Sequence, residues 1–391
     1  MTESETRPVP QAFFSDLDID IRAFSAQCEQ QVEPDVYPFS DCCEKNVVIY
    51  DGESLRAFTG KHTAIKTEFA DIFLNGPGVL VIKGFFENTN TVDAMSDVFG
   101  QILKAEEGFG EGDHFAQAGA QANGRIWNVF QKSAAANPEV FIDYYKNPLL
   151  RLVSEAWLGP HYQVTAQVNI VRPGGNAQDS HRDYHLGFQH TDELSRYPLH
   201  AQKMSAMLTL QGAVAHSDMP LESGPTKLLP FSQHYPLGYM SCRNPGFQDY
   251  FEQHHVQLPL QKGDALFFNP ALIHAAGANQ TTDFNRSANL LQISSAFGKP
   301  METIDLGAIS SQLFNTLSSK WVSGLSDDEK AAIVMAVADG YAFPTNLDTD
   351  SPVGGLAPES MSQLLLRALD AQWTHTAYQE ALANQKQRRR A

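Results

Sequence analysis

Apolar and polar positions change rhythm twice along this chain, and each change marks a boundary. From about Glu53 to Leu74, Leu55, Phe58, Ile65 and Phe69 recur at helical spacing, which predicts a helix with one buried face. The stretch "GPGVLVIKGFF" (76–86) reads as turn, short buried strand, turn. Val92, Met95, Val98, Phe99 and Leu103 restore helical spacing over 91–105. A further helical region is expected over 136–157, with Leu149, Leu150, Val153 and Trp157 on its apolar side. Residues 1–50, with scattered prolines and many acids, predict an irregular segment.

The texture changes after Gly159. In "YQVTAQVNIVRPGG" (162–175), Val164, Ala166, Val168 and Ile170 face one way, and Gln163, Thr165, Gln167 and Asn169 the other. That alternation is a strand signal. Further short strands are expected around 181–186, 204–214, 225–230, 255–260, 264–269 and 287–297, each bounded by Gly, Pro, Asn or Asp. Many short strands with regular turns predict a jelly-roll or related barrel. Beyond Pro300 helical spacing returns over 326–340, where Ser326 is a candidate N-cap, and over 358–382. The expected organisation is a mainly β core with flanking helices. An irregular segment (1–50) precedes a domain over 51–300 whose β core spans about 160–298, and a C-terminal helical extension (301–391) packs on that core.

Composition narrows the function classes. The chain has 391 residues, 42% hydrophobic and 19% charged, which is ordinary for a globular protein. A net charge of −17 disfavours nucleic acid and anionic membranes as partners. The terminal run "KQRRRA" (386–391) is expected to be a solvated end. Four cysteines without a CxxC pair indicate neither a zinc ribbon nor a disulfide framework, and fit a reducing cytoplasmic setting. Neither a signal peptide nor a membrane span is read from the sequence.

Chemistry concentrates in "SHRDYHLGFQH" (180–190). On an extended chain, His181 and Asp183 point to one face, and His185 falls on that side too. An imidazole and a carboxylate side by side can take two positions on a divalent metal. A second histidine would complete the two-His-one-carboxylate set of non-haem iron oxygenases. The best candidate is His274, at the end of "ALIH" and after the Lys262-Gly263-Asp264 turn and the apolar run Ala265–Phe268. Twelve residues later Arg286 opens another strand, suited to clamp a dicarboxylic cosubstrate through its planar fork. The plainer alternatives are edge-strand histidines and a salt bridge between Arg286 and Asp283. An HxDxH zinc site through His185 is a third.

These features together, with "QVNIVRPG", "ESGPTKLLPFSQH" (222–234) and "GDALFF…IHAAGANQTTDFNR", resemble the phytanoyl-CoA dioxygenase family of Fe(II)/2-oxoglutarate-dependent oxygenases. The resemblance covers residues 76 to 298. It implies a double-stranded β-helix, a cupin-like jelly roll, holding Fe(2+) through His181, Asp183 and His274. It implies 2-oxoglutarate and O2 as cosubstrates, with Arg286 on the distal carboxylate and ascorbate as a candidate reductant. It implies oxidation, by default hydroxylation, of a small organic molecule. Desaturation, cyclisation or epimerisation would use the same site. Asp183 itself argues against halogenation, because related halogenases lack that carboxylate.

In this barrel type inward polar residues line the site, which nominates Gln167 and Asn169. His185, Trp127 and Lys132 are candidates for contact with substrate. His190 and His216 read as surface or satisfied core residues, and His254 and His255 as exposed. The turn Pro230-Phe231-Ser232-Gln233-His234 departs from the family's usual Pro-Gly-Ser-His, leaving His234 without an assigned role. The Gly/Ala-rich stretch 108–124 reads as a lid or simply a long loop. Two rival classes stand beside the oxygenase: a cupin-type isomerase or hydrolase using the HRDYH cluster, and a non-catalytic barrel.

Overall fold

The computed structural model describes residues 10–33, 35–106, 123–352 and 354–390. Its strands are β1 (Cys42–Glu44), β2 (Val47–Asp51), β3 (Val79–Lys83), β4 (Gly124–Ile126), β5 (Gln163–Val171), β6 (Thr209–Ala215), β7 (Lys227–Leu228), β8 (Ala265–Phe268), β9 (His274–Ala275) and β10 (Arg286–Ser294). Eight form one mixed sheet in the order β1-β2-β3-β8-β6-β10-β5-β4. The opposing layer is reduced to the β7–β9 pair, extended by single bridges from Leu228 to Val256 and from His274 to His181. Two layers of β structure, the smaller one nearly all bridges, make the double-stranded β-helix.

The two faces of the large sheet carry different residues. On β5, Val164, Ala166 and Val168 join the main hydrophobic cluster. On β10, Leu291 and Ile293 do the same. That cluster continues through Phe130, Tyr145, Leu313 and Leu365, so helices before and after the barrel share one core. The opposite face, with Gln167, Asn169, Arg286, Ala288, Leu290 and Gln292, lines a cavity of about 470 Å³. Side chains two apart on a strand share a face, which is how one strand serves both core and cavity.

Several boundaries differ from expectation for local reasons. The helical region 136–157 is cut into Val129–Ala136, Pro138–Tyr145 and Pro148–Leu158. Asn137 and Asn147 accept hydrogen bonds from Val140 N and Leu149 N, each just ahead of a proline at the first helical turn. An Asn-Pro pair is a helix start. Likewise 53–74 is two helices, Gly52–Ala57 and His62–Leu74, and 358–382 becomes Met361–Asp370 and His375–Arg388. The start of the expected strand 204–214 is helix, Leu199–Met207. The expected strands at 181–186 and 255–260 survive only as bridges at His181, Val256 and Leu260.

The described part of the N-terminal segment, from residue 10 to 50, is more ordered than expected. A helix (Ile21–Cys28) packs Phe24 against Tyr235 and Phe247, and β2 pairs in parallel with β3. The terminal basic run is not a free end either. Arg388 donates to Asp350 at 3.1 Å, from the last turn of its helix. No helix among the described residues is long and apolar enough to cross a membrane.

Candidate metal centre and its cavity

The centre is built on a backbone bridge. His181 N donates to His274 O at 3.0 Å, and His274 N donates to His181 O at 3.1 Å. This two-way exchange is the hydrogen-bonded pairing of an antiparallel ladder, and it sets the imidazoles side by side, with centroids 4.5 Å apart and planes tilted by 55°. Asp183 is placed by a third backbone bond, its N to Pro270 O at 3.1 Å. Behind them the turn at Asn269 is fixed by its side chain, which donates to Phe73 O and accepts from Ala271 N.

Arg182, between the two ligands, points the other way. Its guanidinium is buried, donates to Ser232 O and Tyr235 O, and lies over the Tyr239 ring. Gly238 abuts it so closely that a Cβ there would sit 1.7 Å from the guanidinium carbon. That glycine is required by close approach.

The donor atoms converge. One ligand atom from each of His181, Asp183 and His274 lies within 4.8 Å of the others. His181 Nε2 is 3.8 Å from Asp183 Oδ1, and His274 Nε2 is 3.6 Å from Oδ2. Both Nδ1 atoms face backbone carbonyls, of Asp179 at 2.8 Å and Leu272 at 2.9 Å. A carbonyl only accepts, so in the neutral rings Nδ1 carries the proton and Nε2 keeps its lone pair. Both lone pairs therefore point at the carboxylate side, as a shared metal requires, and carbonyl-anchored imidazoles are the usual outer support of such ligands.

Electrostatics agree. Burial alone would raise the Asp183 carboxyl, but positive charge on the His274 and His181 side and the Gln211 amide hold it well below the usual carboxylate range, and a divalent metal would supply that charge while both rings stay neutral. Burial, then His274, lower the proton affinity of His181. Two neutral imidazoles and one carboxylate suit a divalent first-row metal.

At the far end of the cavity face stands Arg286, 7% exposed. No hydrogen bond or ion pair reaches its guanidinium from any described residue, Asp283 included. Burial lowers it to about 10, and no acid opposes that shift. An unpaired buried guanidinium is costly, and an anionic guest would remove the cost.

A phytanoyl-CoA dioxygenase profile matches residues 74–288, more than half of the chain. The chain belongs to the phytanoyl-CoA dioxygenase family. A curated relative, dioxygenase andF of Emericella variicolor, is 23% identical over 213 residues, 54% of this chain and 67% of the relative. Among solved structures, the non-heme alpha ketoglutarate dependent carbocyclase SnoK from nogalamycin biosynthesis has 17% identity and a TM-score of 0.45, over 64% of this chain and 91% of that one. EctD from S. alaskensis, solved with 2-oxoglutarate and 5-hydroxyectoine, has 17% identity and a TM-score of 0.43, over 58% and 74%.

The remaining candidates divide. Gln167, Asn169 and Trp127 line the cavity, and Gln167 Oε1 accepts from Arg125 at 2.8 Å. Lys132 does not line it; its ammonium pairs with Glu106. His185 does not join the ligand trio. The chain leaves the extended path after Asp183, and the His185 ring turns to Lys299 O at 2.8 Å and lies tilted against the Tyr184 ring. His234 meets Gly76 O at 2.9 Å, so it braces the turn rather than the cavity. His190 and His254 are exposed, whereas His255 is half-buried over Phe251. His216 is a satisfied core histidine, bonded to Ser96 and Tyr144. The 108–124 stretch lies, up to residue 122, outside the described residues.

Sequence reasoning missed Gln211. Its amide donates to Asp183 Oδ2 from the cavity face of β6. The available signal was a lone amide in the otherwise apolar run "TLQGAVA".

Proposed function

We propose that this chain is an Fe(II)- and 2-oxoglutarate-dependent oxygenase acting on a small organic molecule, with hydroxylation as the default outcome. His181, Asp183 and His274 would hold the iron, and Arg286 the distal carboxylate of 2-oxoglutarate. When bound, iron and 2-oxoglutarate supply the oxidising power, with 2-oxoglutarate decarboxylated to succinate as O2 is reduced.

The observation that carries this reading is Arg286. A metal trio alone suits many reactions, but an unpaired buried guanidinium in the same cavity calls for an anion. The surface between them supports it. From Arg286 the inward row of β10 runs Ala288, Leu290, Gln292, and the β6 partners of the last three are Ala215, Ala213 and Gln211. Small side chains thus flank the lane that joins the arginine to the Gln211–Asp183 pair. Gln167 and Asn169, opposite Leu290 and Ala288 on β5, offer amide contacts along that lane.

His185 as third ligand finds no support, because its ring is engaged with the Lys299 carbonyl. The test is turnover. Iron-loaded protein with O2 should convert 2-oxoglutarate to succinate and CO2 slowly, and faster when a substrate is found by screening for succinate. Full activity with zinc in the absence of O2 would overturn the proposal.

A further inference from the structure

Arg286 is not the cavity's only arginine without an acid. Arg243, in the short link between the helices Gly238–Ser241 and Pro245–His254, lines the same cavity at its open side. It is exposed, and its guanidinium is held by one hydrogen bond, to Gly187 O at 3.0 Å. No carboxylate of any described residue pairs with it. In a chain with 45 acids against 28 bases, an arginine at a cavity mouth that meets no acid is conspicuous. The two acids lining the cavity do not neutralise it: Asp183 belongs to the metal trio, and no ion pair joins Asp179 to Arg243.

Charge counting sharpens the point, resting here on the proposed oxygenase chemistry. A divalent metal, the Asp183 carboxylate, a dicarboxylate cosubstrate and Arg286 sum to zero. Those four charges do not call on Arg243, and the other two arginines of the lining are engaged elsewhere, Arg125 with Gln167 and over Trp127, Arg182 with Ser232 O and Tyr235 O, which leaves Arg243 for the remaining guest. Phe188, next to the Gly187 that anchors Arg243, also lines the cavity and offers that guest an apolar surface.

We infer that Arg243 determines substrate choice by pairing with an oxyanion on the substrate, a carboxylate or a phosphate, while the substrate's apolar part reaches toward the metal. Its fork suits either anion and its anchoring to Gly187 O fixes its aim.

The probes are hexanoate, hexyl phosphate and the uncharged hexanamide. Each is titrated into iron-loaded protein saturated with 2-oxoglutarate and kept free of O2, so that Arg286 is already occupied. Binding is read by ligand-observed NMR, and the visible band of the iron–cosubstrate complex is followed in parallel. At least one anion should bind roughly fivefold tighter than the amide, the upper end for a solvent-exposed ion pair, and the preference should fade with salt. The tighter of the two anions identifies the class. Arg243→Gln should remove the preference and Arg243→Lys should keep part of it, with melting temperatures unchanged. The inference is overturned if the amide matches both anions, if neither anion binds, or if the preference survives in Arg243→Gln. Absence of the visible band in wild type would instead sink the cosubstrate assignment, a separate failure.

Discussion

His181 and His274 hold each other in place through the same backbone bridge that positions their rings. Ligands from chain positions 93 residues apart thus share one element of local structure. The metal site therefore forms with the small β layer, not on top of a finished scaffold. Asp183, whose carboxylate takes a hydrogen bond from Gln211, ties the large sheet to the same point.

That bond gives the first prediction. Gln211→Leu keeps the volume but removes the donor, so Asp183 loses its outer support. Iron affinity, measured by chelator competition, should fall by about 10- to 100-fold, the usual cost of deleting such a partner. Unchanged affinity would show that the backbone alone orients Asp183.

The ligand assignment is tested by metal content after dialysis. His181→Ala, Asp183→Ala and His274→Ala should each lose iron. His185→Ala should keep it, because that ring meets Lys299 O. Loss of iron in the His185 variant with retention in the His274 variant would reverse the assignment.

How much of this could be read from the sequence depends on what signals each feature. β5 was legible because strict alternation served two buried faces with different chemistry. His274 and Arg286 were legible because a Gly-Asp turn, an apolar strand and Pro270 punctuate the chain around them. The small β layer was legible only at 225–230, which holds β7, since single bridges between bent loops leave no periodicity. The strand drawn through His181 to Leu186 failed for that reason, and His185 was misplaced with it. The turn Asn147-Pro148 was visible but was overridden by the apolar run that follows it. Gln211 and Arg243 act through tertiary neighbours, Asp183 and Gly187, that no local pattern announces.

The lane between the metal trio and Arg286 can be blocked without touching either end. Ala288→Leu adds bulk on the cavity face of β10, between Arg286 and Gln292. Iron binding should persist while 2-oxoglutarate binding, followed by calorimetry without O2, is lost. Normal cosubstrate affinity in this variant would mean that the dicarboxylate does not pass Ala288.

His216 makes stability pH-dependent. Burial lowers its proton affinity to about 3, and both ring nitrogens are bonded, to Ser96 and Tyr144 at 2.8 Å. An unfolded histidine takes its proton near ~6.5. Between those values the unfolded chain binds one more proton than the folded one, so stability falls as pH falls, by about 1.4 kcal/mol per unit from this residue. His216→Gln lacks that proton. Urea unfolding from pH 7 to pH 5 should therefore cost wild type about 2 kcal/mol more than the variant. Equal losses would mean that His216 is protonated in the folded state.

The most direct measurement of the central claim is a 2-oxoglutarate titration of iron-loaded wild type, Arg286→Lys and Arg286→Ala in the absence of O2. A hydrogen bond to a charged group contributes roughly 1.5–3 kcal/mol, and the guanidinium fork makes more than one. Arg286→Ala should bind 2-oxoglutarate roughly tenfold to several-hundredfold more weakly, with Arg286→Lys in between and iron affinity unchanged in both. Equal affinities across the three proteins would contradict the account, leaving Arg286 a structural residue and the cavity without its cosubstrate clamp.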